Sequence, residues 1–283
     1  MTTNRKYENH HFVSQFYLRH WCDENGRLWV YPKSGAEPFQ STPKSFSCEK
    51  GLYDTSTHDE LSDVDVEGLL SEMEGLYSAR WPNVFSRIRD PETKMNLARF
   101  LAIQYLRNPK QKESLKTTNG FIREIMSRLD PGQKELTIID FDKREHTIPI
   151  AELTTHAQDT KKNISDGFIR SLMGDVMNLA EVLYARKWGV LVAATPAFVT
   201  SDNPVILIRG SSTKRNIGFR TPGTEIHFPI TPTLLLIIKD EWKRDGMFHN
   251  LTSLGGVNNE IMEQSELFAF GRRPLKRRNG NLI

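Results

Sequence analysis

Residues 187–210 read KWGVLVAATPAFVTSDNPVILIRG, and here the spacing of apolar residues changes. Runs of four to seven apolar or β-branched residues, broken by Pro, Asp, Asn and Gly, predict short strands. The pattern continues in EIHFPIT (225–231) and TLLLIIKD (233–240), giving five strand candidates, and LFAFG (267–271) gives a last one after a helical GGVNNEIMEQSE. Before residue 187 the period is helical. Leu61, Val64, Leu69, Met73 and Leu76 are spaced for a helix that Pro82 interrupts. Asp90-Pro91-Glu92 is a helix start, with Asp90 as N-cap and proline in the first turn. It opens the most apolar helix of the chain, KMNLARFLAIQYLRN (94–108), and a long helix is expected over about 153–186. Between them KELTIIDFDKREHTIPI (134–150) alternates as a hairpin does. Near the N-terminus Asn25-Gly26 signals a turn into the strand Leu28–Tyr31, and a second short strand is expected at 51–53. Helices first and strands last predict an α+β fold. In it the helix-rich N-terminal two-thirds packs on a mainly antiparallel C-terminal sheet, which the N-terminal strand joins. The expected organisation is one domain over 1–271, with a helical insert at about 60–186, followed by a basic tail over 272–283.

With 38% hydrophobic and 26% charged residues among 283, the composition is that of a globular protein. No apolar run approaches the ~18 residues that span a bilayer. Arg5 and Lys6 are followed by alternating polar and apolar residues, not by the apolar run of a secretory signal. A cytoplasmic protein is expected, with Cys22 and Cys48 as reduced thiols. The net charge of +3 is owed to Arg272, Arg273, Lys276, Arg277 and Arg278. Without that tail the body is slightly acidic, which removes global charge as an argument for nucleic-acid binding. The tail itself is expected as a solvated end, with phosphate contact as the alternative.

Polar residues that interrupt apolar stretches are the candidates for chemistry. NHHFVSQFYLRHW (9–21) carries Phe12, Phe16, Leu18 and Trp21 on one face if helical and capped by Asn9. His11, Gln15 and Arg19 then fall at i, i+4 and i+8 on one stripe, with His10 exposed. His11 is the acid–base candidate, since its ordinary pKa lies near neutrality. Gln104 and Arg107, three apart on the most apolar helix, share a face, and burial without partners would be costly. In FVTSDNPV (198–205), Ser201 and Asp202 sit at a strand end, where Asp202 can act as general base or ligand acceptor. Each has a structural alternative: a satisfied core histidine, an arginine on terminal carbonyls, a capped β-turn. Glu72 and Glu74, two apart, face different ways on a helix and form no carboxylate pair. There is no Gly-rich phosphate loop, H-E-x-x-H, G-x-S-x-G or paired CxxC. One histidine and one aspartate are too few to name a metal, and the sequence names no cofactor and no oligomeric state.

HHFVSQFYLRHW, LWVYPKS, FLAIQYLRNP, FVTSDNPV and IHFPITP, in this order, resemble a bacterial family known as a domain of unknown function, numbered four-two-three-eight. The resemblance spans nearly the whole chain. It maps onto His11, Gln15, Leu18, Arg19, Gln104, Arg107, Ser201, Asp202 and Pro204, and the family often has proline where this chain has Ser14. It implies no activity, cofactor or substrate. Two functions are expected from the residues. In the first, His11, Gln15, Arg19, Gln104, Arg107, Ser201 and Asp202 converge on a pocket for an anionic, phosphate-bearing small molecule or nucleic acid. His11 or Asp202 then serves as general acid or base of a hydrolase, nuclease or nucleotide-processing enzyme. In the second, the same groups form a structural network in a non-catalytic interaction protein whose basic tail binds nucleic acid or a partner.

Overall fold

The computed structural model describes residues 9–53, 66–84, 86–139, 145–156, 161–212, 217–250, 256–275, 277–278 and 281–282. Arg5, Lys6, Leu61, Val64 and Lys276 of the sequence reading lie outside them. The described residues fall into two compact units, one within Met1–Leu52, Asp65–Asn108 and Leu172–Ile283, the other within Tyr53–Val64 and Pro109–Ser171. The first unit opens with β1 (Asn9–His11), α1 (Gln15–Arg19), β2 (Leu28–Pro32), β3 (Phe39–Ser41), β4 (Cys48–Lys50), α2 (Val66–Val84) and α3 (Pro91–Leu106). The second holds α4 (Pro109–Met126), the hairpin of β5 (Glu135–Ile139) and β6 (Glu145–Pro149), α5 (Ile150–His156), and α6 (Lys161–Ala185) as far as Ser171. The first resumes with β7 (Lys187–Val192), β8 (Thr200–Ser201), β9 (Ile206–Ile208), β10 (Glu225–Thr231), β11 (Leu234–Lys239), β12 (Met247–Asn250), α7 (Val257–Gln264), β13 (Phe268–Gly271), β14 (Arg277–Arg278) and β15 (Asn281–Leu282).

The α+β class holds, the five strands form where the short apolar runs placed them, and the hairpin forms where the alternation did. The arrangement differs from the expected one. Helices lie mid-chain and strands are spread along its length. A five-stranded sheet runs β12-β7-β11-β10-β9, antiparallel except where β12 lies along β7. A four-stranded antiparallel sheet runs β3-β2-β13-β8, so the N-terminal strand does join C-terminal ones, with Val30 opposite Phe270. Asp90 caps α3 through its carboxylate, which accepts from the Thr93 N–H at 2.8 Å, and Pro82 is tolerated inside the last turn of α2. Gly26, at φ 71°, makes the turn before β2.

Four local expectations are corrected. Residues 9–21 are not one helix. Asn9, expected as a cap, is in β1, which pairs with β4, and the helix spans only Gln15–Arg19. Pairing with a strand forty residues on satisfies the backbone there, which a local pattern does not reveal. His10, opposite Glu49 in that ladder, is 6% exposed and not a surface residue. The short strand expected at 51–53 forms instead at Cys48–Lys50. The start of the basic tail is anchored: Tyr31 donates to the Arg273 carbonyl and accepts from the Leu275 N–H, Leu275 is buried, and β14 pairs with β15.

Aromatic rings fill the core between α1, α2, α3 and β10. Phe16, Tyr17, Trp81, Phe100 and Phe228 are all buried, with centroids 5.1 Å apart for Tyr17–Phe228 and for Trp81–Phe100, and 5.4 Å for Phe16–Trp81. Pro229 has no N–H for the β10 ladder. The register with β11 shifts between Pro229 and Thr231, and the Pro229 carbonyl accepts the Tyr17 hydroxyl at 2.6 Å. Having given its proton there, that hydroxyl accepts from Thr200 Oγ1, also at 2.6 Å. Tyr17→Phe keeps the ring and leaves both partners buried without theirs. We expect a loss of about 1–3 kcal/mol, read as a lower urea midpoint at unchanged m-value.

Candidate functional site

A recess bearing three of the candidate residues lies where β1 and α1 face α2. His11 sits in β1 opposite Cys48, and the next residue, Phe12, donates its N–H to the Ser47 carbonyl at 2.8 Å. Gln15, Phe16 and Arg19 follow on α1. Across a recess of about 340 Å³ they meet Glu67, Leu70, Ser71, Glu74, Gly75 and Ser78. Those α2 positions are spaced by three and four, so they form one helix face. His11, Gln15 and Arg19 thus do share a site, although as strand and helix and not as one helical stripe. Gln15 is partly committed, donating its amide to the Pro43 carbonyl at 3.1 Å. Arg19 is exposed at the rim.

Behind this recess lies a buried polar network. Arg107, 1% exposed, donates to Glu74 Oε1 at 2.7 Å and to Ser14 Oγ at 2.6 Å. Gln104, also 1% exposed, donates to the same Ser14 oxygen at 3.0 Å, and Ser14 passes its own proton to Glu74 Oε1 at 2.7 Å. The serine hydroxyl therefore uses its one donor and both lone pairs. Desolvating an arginine–glutamate pair costs several kcal/mol unless added hydrogen bonds offset it; the Ser14 hydroxyl bonds both charges and Gln104 bonds that hydroxyl, while Arg107 Nε is buried without a partner among the described residues. Glu74, with 24% of its side chain exposed, connects this network to the recess. The His11 imidazole feels both members: burial pulls its pKa down, the Glu74 charge pushes it up, and Arg107 pulls it down again, leaving it lowered.

Gln104 and Arg107 therefore stand behind the recess wall, not in the open. Ser201 and Asp202 are elsewhere. Ser201 is fully buried, donates to the Asn203 carbonyl at 2.8 Å and accepts the Asn203 N–H at 3.1 Å, closing a local turn. Asp202, 2% exposed, accepts three backbone N–H groups: Glu266 at 2.7 Å, Leu267 at 2.7 Å and Phe268 at 2.9 Å. Its own carbonyl takes Asn108 Nδ2 at 3.0 Å, and Asn203 donates to the Gln264 carbonyl at 2.9 Å. Burial pushes the Asp202 carboxyl up while the three donors pull it down, with burial the larger. A carboxylate so enclosed holds the α7–β13 connection onto β8. It is not poised as a general base, and the TSDN block is a structural knot.

Ser14, Glu74 and Asn108 were missed by sequence reasoning. The polar stripe Glu67, Ser71, Glu74 and Ser78 on α2, at helical spacing, would have found Glu74. No local signal marks Ser14, where the chain departs from the resembled family's proline; a proline would offer neither the hydroxyl nor the N–H that faces Gln104 Oε1 at 3.4 Å. Among the described residues no group of three or more His, Cys, Asp or Glu is placed to hold a metal ion.

Two measurements follow from this geometry. Asp202→Ala strips three N–H groups of their acceptor and should cost about 2–4 kcal/mol, against under about 1.5 kcal/mol for Ser201→Ala, whose bonds are local; thermal unfolding ranks the two. For His11, the folded chain binds its proton less readily than the unfolded chain, whose value is about 6.5. This contribution to stability is full above that pH and is lost as pH falls toward the lowered value. An NMR titration of the imidazole should give a midpoint below the ordinary one, and Glu74→Gln should move it lower still, because a negative neighbour is gone.

The family model described as "Protein of unknown function (DUF4238)" matches residues 9–272. No curated protein and no solved structure matches the chain. The match runs from β1 through β13 and takes in the recess, the network behind it and the TSDN knot, and on that extent the chain belongs to the DUF4238 family.

Proposed function

We propose that the recess between β1, α1 and α2 binds a small phosphate-bearing ligand, with Arg19 as anchor and His11 as the group that takes or gives a proton. The observation that carries this reading is the pairing of Glu74 with Arg107. It neutralises one of the two carboxylates that line the recess, Glu67 being the other, and so lowers the repulsion an anion meets there. Arg19, exposed at the rim, offers the forked donors that phosphate oxygens accept. Gln15 adds amide hydrogen-bonding capacity beside it. His11, with its pKa lowered by burial, is largely neutral at pH 7 and can accept a proton from water or from a ligand hydroxyl. The recess volume, about 340 Å³, suits a mononucleotide-sized ligand or smaller. Hydrolysis of a phosphate ester is the chemistry this set favours, and it needs neither Asp202 nor Ser201.

The burial of the Ser14–Glu74–Gln104–Arg107 network favours a second reading, a non-catalytic interaction protein in which these groups hold α1 against α2 and α3. Ligand stabilisation separates the two, because a molecule that binds only the folded state raises the melting temperature. Inorganic phosphate and nucleoside monophosphates at millimolar concentration should raise it in the native chain. Arg19→Ala should abolish that rise while leaving the unliganded melting temperature unchanged, since Arg19 is exposed. The phosphate reading is sunk by no rise with any of these compounds, or by an equal rise in the variant.

A further inference from the structure

The recess between β1, α1 and α2 has a direction. The residue before α1 lies beside the middle of α2, where Ser14 bonds Glu74 at 2.7 Å. The helix then runs toward the C-terminal part of α2, where the Phe16 and His20 rings meet Trp81. Arg19 therefore falls toward the Ser78 end of the lining, and Glu67 lies at the other end, about 16 Å from Ser78 along the α2 axis. The charges follow the same order. Arg19 supplies the cation, Glu74 is compensated by Arg107, and Glu67 is the carboxylate at the far end. An anionic group is drawn to the Arg19 end and repelled from the Glu67 end. Orthophosphate engages only the first. A ligand that fills the recess needs a hydrogen-bond donor, not a second anion, at its other extremity.

Between the two ends lies Gly75. It is interior to α2, where glycine is less favourable than alanine. A Cβ placed on it would meet no atom within 4 Å, so no close approach within the described chain calls for glycine there. The missing side chain leaves bare helix backbone in the lining, beside the apolar residues Phe16 and Leu70, and a flat ring can approach bare backbone closely. We propose that the ligand of the recess is a nucleoside monophosphate with an amino-bearing base. Its phosphate is held by Arg19, its base lies over Gly75, and the exocyclic amino group donates to Glu67. This inference rests on the assignment of Arg19 as phosphate anchor. Carboxylates accept from the amino group of cytosine in this way. A carboxylate has lone pairs for several donors at once, so Glu67 can take this one beside another. A base with a carbonyl at the same edge sets oxygen against oxygen.

Cytidine and uridine 5′-monophosphates differ at that edge, and ribose 5-phosphate lacks the base. These three and inorganic phosphate are titrated against the full chain by calorimetry. Cytidine monophosphate should bind about tenfold more tightly than uridine monophosphate, the worth of one hydrogen bond to a charged group, and more tightly than ribose 5-phosphate. Glu67→Gln should erase the preference. Gly75→Ala should raise the unliganded melting temperature by roughly 1–3 °C, as a better helix former. It should also weaken nucleotide binding about fivefold or more and leave inorganic phosphate as it was. The cytidine–uridine comparison uses the native chain and needs neither variant to fold. Binding of phosphate and ribose 5-phosphate through Arg19 with no gain from the base overturns this inference and leaves the phosphate site standing. So does equal affinity for the two nucleotides, a preference that survives Glu67→Gln, or a Gly75→Ala variant that binds nucleotides as the native chain does. No binding by any of the four removes the phosphate site and this inference together.

Discussion

The tertiary structure of the first unit turns on the Tyr17 side chain. Its ring is stacked on Phe228 of β10, and its hydroxyl joins Thr200 of β8 to the Pro229 carbonyl at the β10 irregularity. A five-residue helix has no stability of its own. It is held by what its side chains reach, and Tyr17 reaches residues 183 and 212 positions away. Phe16 beside it meets Trp81 and Phe100. Once α1 is fixed this way, Gln15 and Arg19 are presented to α2, and the segment before it must return toward β4.

The buried Arg107–Glu74 pair is the second constraint. Two charges taken out of water are offset by one serine hydroxyl that bonds both of them and is itself held by the Gln104 amide. The consequence for chemistry is asymmetric. Arg107 is consumed by structure, while Glu74 is fixed at the recess wall with its charge compensated from behind. His11 feels the pair as two opposed fields and is governed mainly by its own burial. Arg107 leads directly into Asn108, whose amide holds the Asp202 carbonyl. The recess wall and the TSDN knot are therefore continuous through two adjacent residues, even though the knot contributes no group to the recess.

The residues legible in the sequence are those whose neighbours decide their conformation. Asp90 and Pro91 announce α3 because a cap is a local bond to Thr93. The short apolar runs in 225–231 and 234–239 announce β10 and β11 because a run of strand length between turn residues fits a strand buried on both faces. Gln104 and Arg107 were legible as anomalies, polar groups on an apolar helix, and the structure answers the anomaly with partners. Asp202 was legible as a polar residue at a strand end, but its role was not, since an Asp before Asn-Pro reads the same whether its oxygens face a ligand or the backbone of residues 266–268.

Taken alone, the sequence determined the α+β class, most strands and the start of α3, because hydrophobic period and capping act within a few residues. Only the tertiary structure decided that His11 belongs to a strand, that β2 lies beside β13, and that Ser14 and Glu74 close around Arg107. Those outcomes rest on hydrogen bonds and ladders joining residues from 33 to more than 200 positions apart. A partner at that distance leaves no mark on the local pattern of a single chain.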